Sequence, residues 1–197
     1  MSETKKNIVV FDFDGTLIKK DSFVEFARFV HGNVKASLAF LLFSPLLLMM
    51  KCRLVDSSDV KEKIFSHLYG EMPLSQFKQY GIDFANHINA IVNPIIFKKL
   101  RLYQAEGLPV YVVSASIEEW VRPWCIQNGI NHIICTKAES CEGFLTGKFS
   151  TPNCNGMEKV HRLENELDDL SQYSLTVYGD SHGDDALMDI AEKKYHV

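Results

Sequence analysis

The sequence predicts an α/β fold: a doubly wound parallel sheet with a helical cap inserted after the first strand. Three observations predict it. Four short apolar runs alternate with stretches of helical periodicity. The first run leads into two aspartates one residue apart. Between the first run and the second, about eighty residues (roughly 20–100) hold no convincing strand, far more than a βαβ crossover needs.

The strands are read at Ile8 to Phe13, Pro109 to Val113, His132 to Cys135 and Leu175 to Tyr178. Each is short, apolar and rich in Val, Ile or Tyr, as a parallel sheet buried on both faces requires. Helices are read between them. Ile95 to Glu106 places Ile96, Leu100 and Tyr103 near helical spacing, with Gly107 as C-cap. Glu118 to Asn128 is followed by Gly129, and Glu158 to Leu170 carries Val160, Leu163 and Leu167 on one face. The cap is read as helices at Ser22–Val30, Ala36–Met50, Ser58–Tyr69 and Leu74–Ile91. Cys141 to Phe149 reads as a small hairpin turning at Gly143 and Gly147. Tyr195 to Val197 looks like the opening of a fifth strand. This divides the chain into a core of residues 1–20 and 100–197 and a cap of residues 21–99.

At 197 residues, 46% of them hydrophobic, the chain suffices for one sizeable core. A net charge of −4 gives no footprint for nucleic acid. Cys52, Cys125, Cys135, Cys141 and Cys154 form no CxxC pair, which suggests buried thiols in a reducing cytoplasm rather than disulfides or zinc. The start, Met1 to Lys6, leads straight into a strand with no signal-peptide core. Ala36–Met50 stays open. Its fifteen uncharged residues lie between Lys35 and Lys51 and contain Pro45. They are too few for an ordinary span, and fit either a buried cap helix or an interfacial element. The expected location is the cytoplasm, or the inner face of its membrane if that segment docks there.

Asp12 and Asp14, at i and i+2 of a strand, are expected to converge past its carboxyl end, where open α/β sheets bind ligands. Converging carboxylates need a cation or a shared proton, so the pair is a candidate metal and nucleophile site. The second strand ends in Val113-Ser114-Ala115-Ser116. Either serine alone reads as a helix N-cap; with its hydroxyl and adjacent N–H groups it also suits phosphate. Lys159 stands at a helix start, against the dipole, where a cation suits an anion to be neutralised. The fourth strand ends in Gly179-Asp180-Ser181-His182-Gly183-Asp184-Asp185. Asp180 and Asp184 are the candidate ligands for a hard divalent cation. Asp185 reads as a helix N-terminal acid, and His182 as a loop residue.

These four pieces, in this order, resemble the haloacid dehalogenase-like phosphohydrolase superfamily. Phe11 to Leu17 matches its DxDGT motif, Ser114 the second motif, Lys159 the third, and Gly179 to Asp184 the fourth. A cap between the first two motifs resembles the C1-type caps of the branch that includes phosphoserine phosphatases. The resemblance implies a Rossmann-like core and Mg²⁺ held by Asp12, the Asp14 carbonyl and Asp180, with Asp184 in support. It implies Asp12 as nucleophile forming an aspartyl-phosphate, and Asp14 as general acid and base. Ser114, Ala115 and Lys159 would hold the phosphoryl group. In the cap it points to Asp21 and Lys63, where phosphoserine phosphatases carry a glutamate and an arginine. Lysine cannot make arginine's bidentate fork. A second branch, which hydrolyses phosphatidylglycerophosphate, has a similar apolar stretch early in its cap. The expected partner is therefore a small-molecule or lipid phosphate, with peripheral membrane contact through Ala36–Met50. A soluble phosphoserine-like metabolite, a phosphotransferase and a catalytically silent scaffold are the alternatives.

Overall fold

The computed structural model describes residues 5–52 and 54–197. The lead-in Met1–Thr4, and Arg53 in the basic flank of the apolar segment, lie outside the described residues. Strand β1 (Lys6–Phe11) is followed by helices α1 (Ser22–Leu42), α2 (Ser44–Lys51), α3 (Ser57–Tyr69) and α4 (Leu74–Ile88). Then come α5 (Pro94–Ala105), β2 (Val110–Ile117), α6 (Glu118–Gln127) and β3 (His132–Thr136). A hairpin of β4 (Ala138–Cys141) and β5 (Phe144–Phe149) precedes α7 (Met157–Leu167), β6 (Tyr173–Gly179), α8 (Asp185–Asp189) and β7 (Lys193–His196).

The five-stranded sheet has the order β3-β2-β1-β6-β7, and every neighbouring pair is parallel. The order runs outward from β1 in both directions, so the crevice of a doubly wound sheet opens at β1's carboxyl end. Phe11 pairs with both Val112 and Tyr178, so the residues just beyond this rung on the three strands sit at one level of the sheet's carboxyl edge. Alternation along the strands makes two cores. Val9, Phe11, Val110, Val112 and Tyr178 pack with residues of α1 and α3–α6. Ile8, Val10, Tyr111, Val113 and Val177 pack with α7 and α8.

Helices α1 to α4 lie between β1 and α5. The chain leaves and re-enters through two hydrogen-bonded segments: Lys19 N–H donates to Ile91 O at 2.9 Å and Asn93 N–H to Leu17 O at 2.8 Å. Helix α5 belongs to the sheet layer through buried Ile96 and Leu100, so a boundary at 99/100 would cut it. The hairpin braces the inserted helices. Phe149 N–H donates to Glu62 at 2.9 Å, and a Cβ on Gly147 (φ +82°) would meet Ser66 Cα at 2.9 Å.

Four local expectations change. Strand β1 stops at Phe11, leaving both aspartates in the following loop. Strand β2 runs on to Ile117 with an irregularity between Ser114 and Ile117, so neither serine is an N-cap; Ile117 takes that position without a side-chain bond. Ala36–Met50 is split between α1 and α2, which bend by 58° just before Pro45, while α1 is itself broken at Gly32 (φ 77°). Among the thiols, Cys125, Cys135 and Cys154 are buried but Cys52 and Cys141 are exposed. Among the described residues no single helix is long and apolar enough to cross a membrane.

Candidate active site

A cleft of about 400 Å³ opens at the carboxyl edge of the sheet, lined by Asp12, Asp14, Ser114, Lys159 and Asp180 among others. Because β1 ends early, the two aspartates of the first loop do not share a direction. Asp12, 8% exposed, faces Lys159; Asp14 faces the first turn of α1.

Lys159 is 2% exposed, and its Nζ lies 2.5 Å from Asp12 Oδ1 and 2.5 Å from Asp184 Oδ1. Burial alone would lower this lysine, but the two carboxylates outweigh it and hold the ammonium above its ordinary value. Asp184 is also buried; its Oδ2 accepts from the N–H groups of Asp180 and Ser181, each at 3.2 Å. The loop before α7 is tied to this one, with Gly156 N–H donating to Gly183 O at 3.0 Å. A Cβ on Gly183 would meet Asn155 Oδ1 at 2.2 Å, so a side chain there would push the Asn155 amide aside.

Asp12, Asp180 and Asp184 each offer a carboxylate oxygen, all within 4.8 Å of one another. Gly15 (φ +74°) makes room for this cluster: a Cβ there would fall 1.9 Å from Asp180 Oδ2. Burial raises Asp180, and Asp184 adds to the rise. Burial pushes Asp12 up to about 7 against the pull of Lys159, with Asp184 and Asp14 adding to the rise. Crowded oxygen donors of one sign, held off their preferred ionisation, fit a hard divalent cation such as Mg²⁺.

Asp14 stands at the end of a donor chain. Trp120 Nε1 donates to Ser22 Oγ at 2.9 Å, Ser22 Oγ lies 2.8 Å from Ser116 Oγ, and Ser116 Oγ donates to Asp14 Oδ2. Ser22 N–H donates to Asp14 Oδ1 at 3.0 Å. Burial first, and then the charge of Asp21, push Asp14 up to about 6 against these hydrogen bonds. The residue thus sits near the neutral range where proton transfer in both directions is accessible.

Ser114 is 1% exposed; its Oγ accepts from Ser116 N–H at 3.1 Å, which leaves the hydroxyl proton for a ligand in the cleft. The Ala115 carbonyl is fixed from two sides, by Thr136 Oγ1 at 2.8 Å and Lys61 Nζ at 2.7 Å. Lys61 comes from α3. Burial lowers it, while Asp14 and Asp21 pull the other way. Lys63, two residues further along the helix, is exposed and is not brought to the cleft. Two residues on a helix turn about 200°, so one register step of two exchanges the residue facing the site for one facing water. Asp21 lines the cleft, but its carboxylate caps α1, accepting from Val24 N–H at 3.1 Å. His182 is exposed and pairs with Asp185 at 3.0 Å, outside the acidic cluster. Sequence reasoning missed Ser22, Lys61, Trp120 and Thr136; none lies in a motif, and only the fold brings them to the site.

A haloacid dehalogenase-like hydrolase family model matches residues 9–189. The protein CicA of Caulobacter vibrioides is 27% identical over 201 residues, covering 95% of this chain and 84% of that one. A protein of unknown function from Bordetella pertussis Tohama I superposes with a TM-score of 0.84 at 20% identity, over 98% of this chain and 90% of that one. A phospho-aspartyl intermediate analogue of phosphoserine phosphatase gives a TM-score of 0.67 at 18% identity, over 98% and 86% of the two chains. At these identities the solved structures share the fold.

Proposed function

This chain belongs to the haloacid dehalogenase-like hydrolases, and we propose that within that family it is a Mg²⁺-dependent phosphomonoesterase working through an aspartyl-phosphate. The observation that carries the reading is the division of labour between two carboxyls. Asp12 lies against a buried ammonium and the acidic cluster, whereas Asp14 ends a chain of hydroxyl donors. An Asp12 oxygen attacks phosphorus while the ester P–O bond breaks, and Asp14 gives its proton to the leaving oxygen. Water then attacks the phosphorus of the acyl phosphate, Asp14 takes a proton from that water, the Asp12–phosphorus bond breaks, and inorganic phosphate leaves. Splitting the displacement this way needs one ionised and one protonated acid. Lys159 and Ser114, with backbone N–H groups at Ala115, hold the phosphoryl oxygens, where transition-state charge accumulates. Asp12, the Asp14 carbonyl and Asp180 would hold Mg²⁺, with Asp184 in support. The bound ion would supply countercharge that keeps Asp12 ionised and draws density from the phosphoryl group.

The inserted helices (residues 21–92) form the cap and select the leaving group. Lys61 and Asp21 are its polar groups beside the cleft, and an amphipathic or lipid-linked phosphate such as phosphatidylglycerophosphate is the substrate reading. The apolar surface of α1 and α2 supports it. Asp21 and Lys61 also fit the zwitterionic end of a soluble phosphoserine-like metabolite, which is the second reading.

The test is phosphate release with Mg²⁺ from aryl phosphate, phosphoserine, sugar phosphates and a detergent-dispersed lysophospholipid-type phosphate. Wild type should turn over at least one of them, and Asp12→Asn should lose on the order of 10⁴-fold while keeping the folded circular-dichroism spectrum of the wild type. Turnover retained by Asp12→Asn would remove Asp12 as nucleophile. Release strongest from phosphoserine would replace the lipid reading by the soluble one.

A further inference from the structure

The second half of α1 and all of α2 have the wrong surface for water. A surface helix turns its polar face outward. Here Val34, Leu38, Leu41 and Leu42 of α1, and Leu48 and Met49 of α2, are exposed; Leu41 is 67% and Leu48 64% accessible. With Leu54 they make seven of the seventeen exposed large hydrophobic residues found among the described residues. Helix α2 buries no residue fully, and α1 beyond its break buries only Ala36 and Ala39. The inward side is apolar too: Phe40, Phe43, Leu46, Leu47 and Met50 rest against the core. The pair is therefore anchored to the protein on one side and bare carbon on the other.

Charge says what covers it. From Phe26 to Val55 the sequence has no Asp or Glu, although the whole chain carries −4. Lys35 and Lys51, both exposed, stand at the two ends of the bare face. An acid-free segment with a lysine at each end favours an anionic surface over a neutral one. A two-fold contact between copies would bring the same lysines together with no acid in the segment to answer them. The 58° bend keeps the pair from forming one straight span and suits a wedge lying in the headgroup region.

We infer that α1 beyond Gly32 and α2 form a docking face for an anionic lipid bilayer. The inference deepens the substrate reading and takes its purpose from it, but the test reads binding without turnover, so the two fail separately. The full chain is floated with vesicles of phosphatidylcholine alone and of phosphatidylcholine mixed with phosphatidylglycerol. Aryl phosphate turnover and melting temperature are followed alongside. Wild type should float with the mixed vesicles on the order of tenfold better than with the neutral ones, given two lysines near the surface, and the difference should shrink as salt is raised. The triple variant Leu38→Gln, Leu41→Gln, Leu48→Gln should lose flotation on both vesicles at unchanged aryl phosphate turnover. Lys35→Glu with Lys51→Glu should lose only the preference for the anionic ones. Wild type that floats with neither vesicle, or equally with both, overturns the inference. So does a dimer by light scattering that the triple variant dissolves.

Discussion

The carboxyl edge of the sheet and the bent pair α1–α2 reverse the ordinary economy of a protein surface. At the sheet edge, charge is buried: Lys159, Asp184 and Asp12 are all under a tenth exposed. Along α1 beyond Gly32 and α2, carbon is exposed and the sequence from Phe26 to Val55 holds no acid. Both arrangements cost stability in an isolated chain in water, since a buried charge loses hydration and an exposed leucine forgoes burial. They differ in what relieves the cost. The charges relieve one another in part, and the cleft is open to a cation and an anion that would complete the relief. Among the described residues the leucines have no apolar partner on their outer side, so relief there would come from another phase or another molecule.

The largest expected effect tests the buried half. Lys159→Met leaves Asp12 and Asp184 facing each other without the ammonium 2.5 Å from each. Breaking a buried pair by removing one partner costs about 3–5 kcal/mol, and denaturant unfolding without metal should show a loss of that size. Mg²⁺ should recover part of it. A loss under about 1 kcal/mol would mean that the carboxylates are already neutral or solvated, and the contrast between the two regions would fall.

The same contrast explains what was legible in the sequence. Asp12, Ser114 and Asp180 lie at or just past the ends of regular strand pairing and Lys159 in the first turn of a helix, in the order the motifs run, so residue type and order make them readable. The orientation of Asp14 was not legible, because it depends on β1 stopping at Phe11 rather than Phe13 and on Ser22 and Ser116 meeting across the chain. Lys61 was missed in favour of Lys63 because a helix face is fixed by packing: α3 turns Val60, Ile64 and Phe65 inward, and that choice decides which lysine reaches Ala115. The strands and the strandless insertion were readable from periodicity. The break at Gly32 and the separation of α2 were not, since an apolar run with apolar residues on every side carries no phase.

A second, smaller effect is a pH dependence. Asp12 is raised to about 7 and Asp14 to about 6 from an ordinary 3.8. A carboxyl whose folded value lies above its unfolded one stabilises the fold fully below the unfolded value and loses that contribution as pH rises through the folded value. The metal-free protein should therefore lose stability steadily between about pH 4 and pH 7.5. Mg²⁺, which binds the ionised forms, should stabilise more strongly at the upper end. Melting curves with and without Mg²⁺ across that window measure both. A Mg²⁺ increment that stays flat with pH would separate the cation from these two carboxyls.

Glu25 provides the intermediate case, a largely buried carboxylate answered by exposed basic side chains. It lies 3.3 Å from Lys20, 2.8 Å from Arg28 and 3.5 Å from His87. Burial alone would raise it, but the contacts with Lys20, His87 and Arg28, of which Arg28 Nη1 donates to Oε1, outweigh burial and hold it below the usual glutamate value. Its contribution is present above the unfolded glutamate pKa and fades as pH falls through the lower folded value. Glu25→Gln should cost about 1 kcal/mol at neutral pH and nothing in acid. A cost that persists in acid would assign the effect to packing.

The smallest effect tests the exposed half, and there smallness is the informative outcome. Leu48 is 64% accessible on a helix with no buried residue. If α2 is part of the folded core in all but appearance, Leu48→Gln removes packing and should cost the one or two kcal/mol typical of a partly buried leucine, about 1–2. If its outer face belongs to a surface that only a bilayer completes, the same change should fall within about 0.5 kcal/mol of zero in water. Glutamine is as good a helix former as leucine in all but a few tenths of a kcal/mol, about 0.2, so propensity does not blur the reading. Lys159→Met costly and Leu48→Gln silent, in the same buffer, is the pattern in which one region stores its stability inside the chain and the other keeps its apolar surface for something outside it.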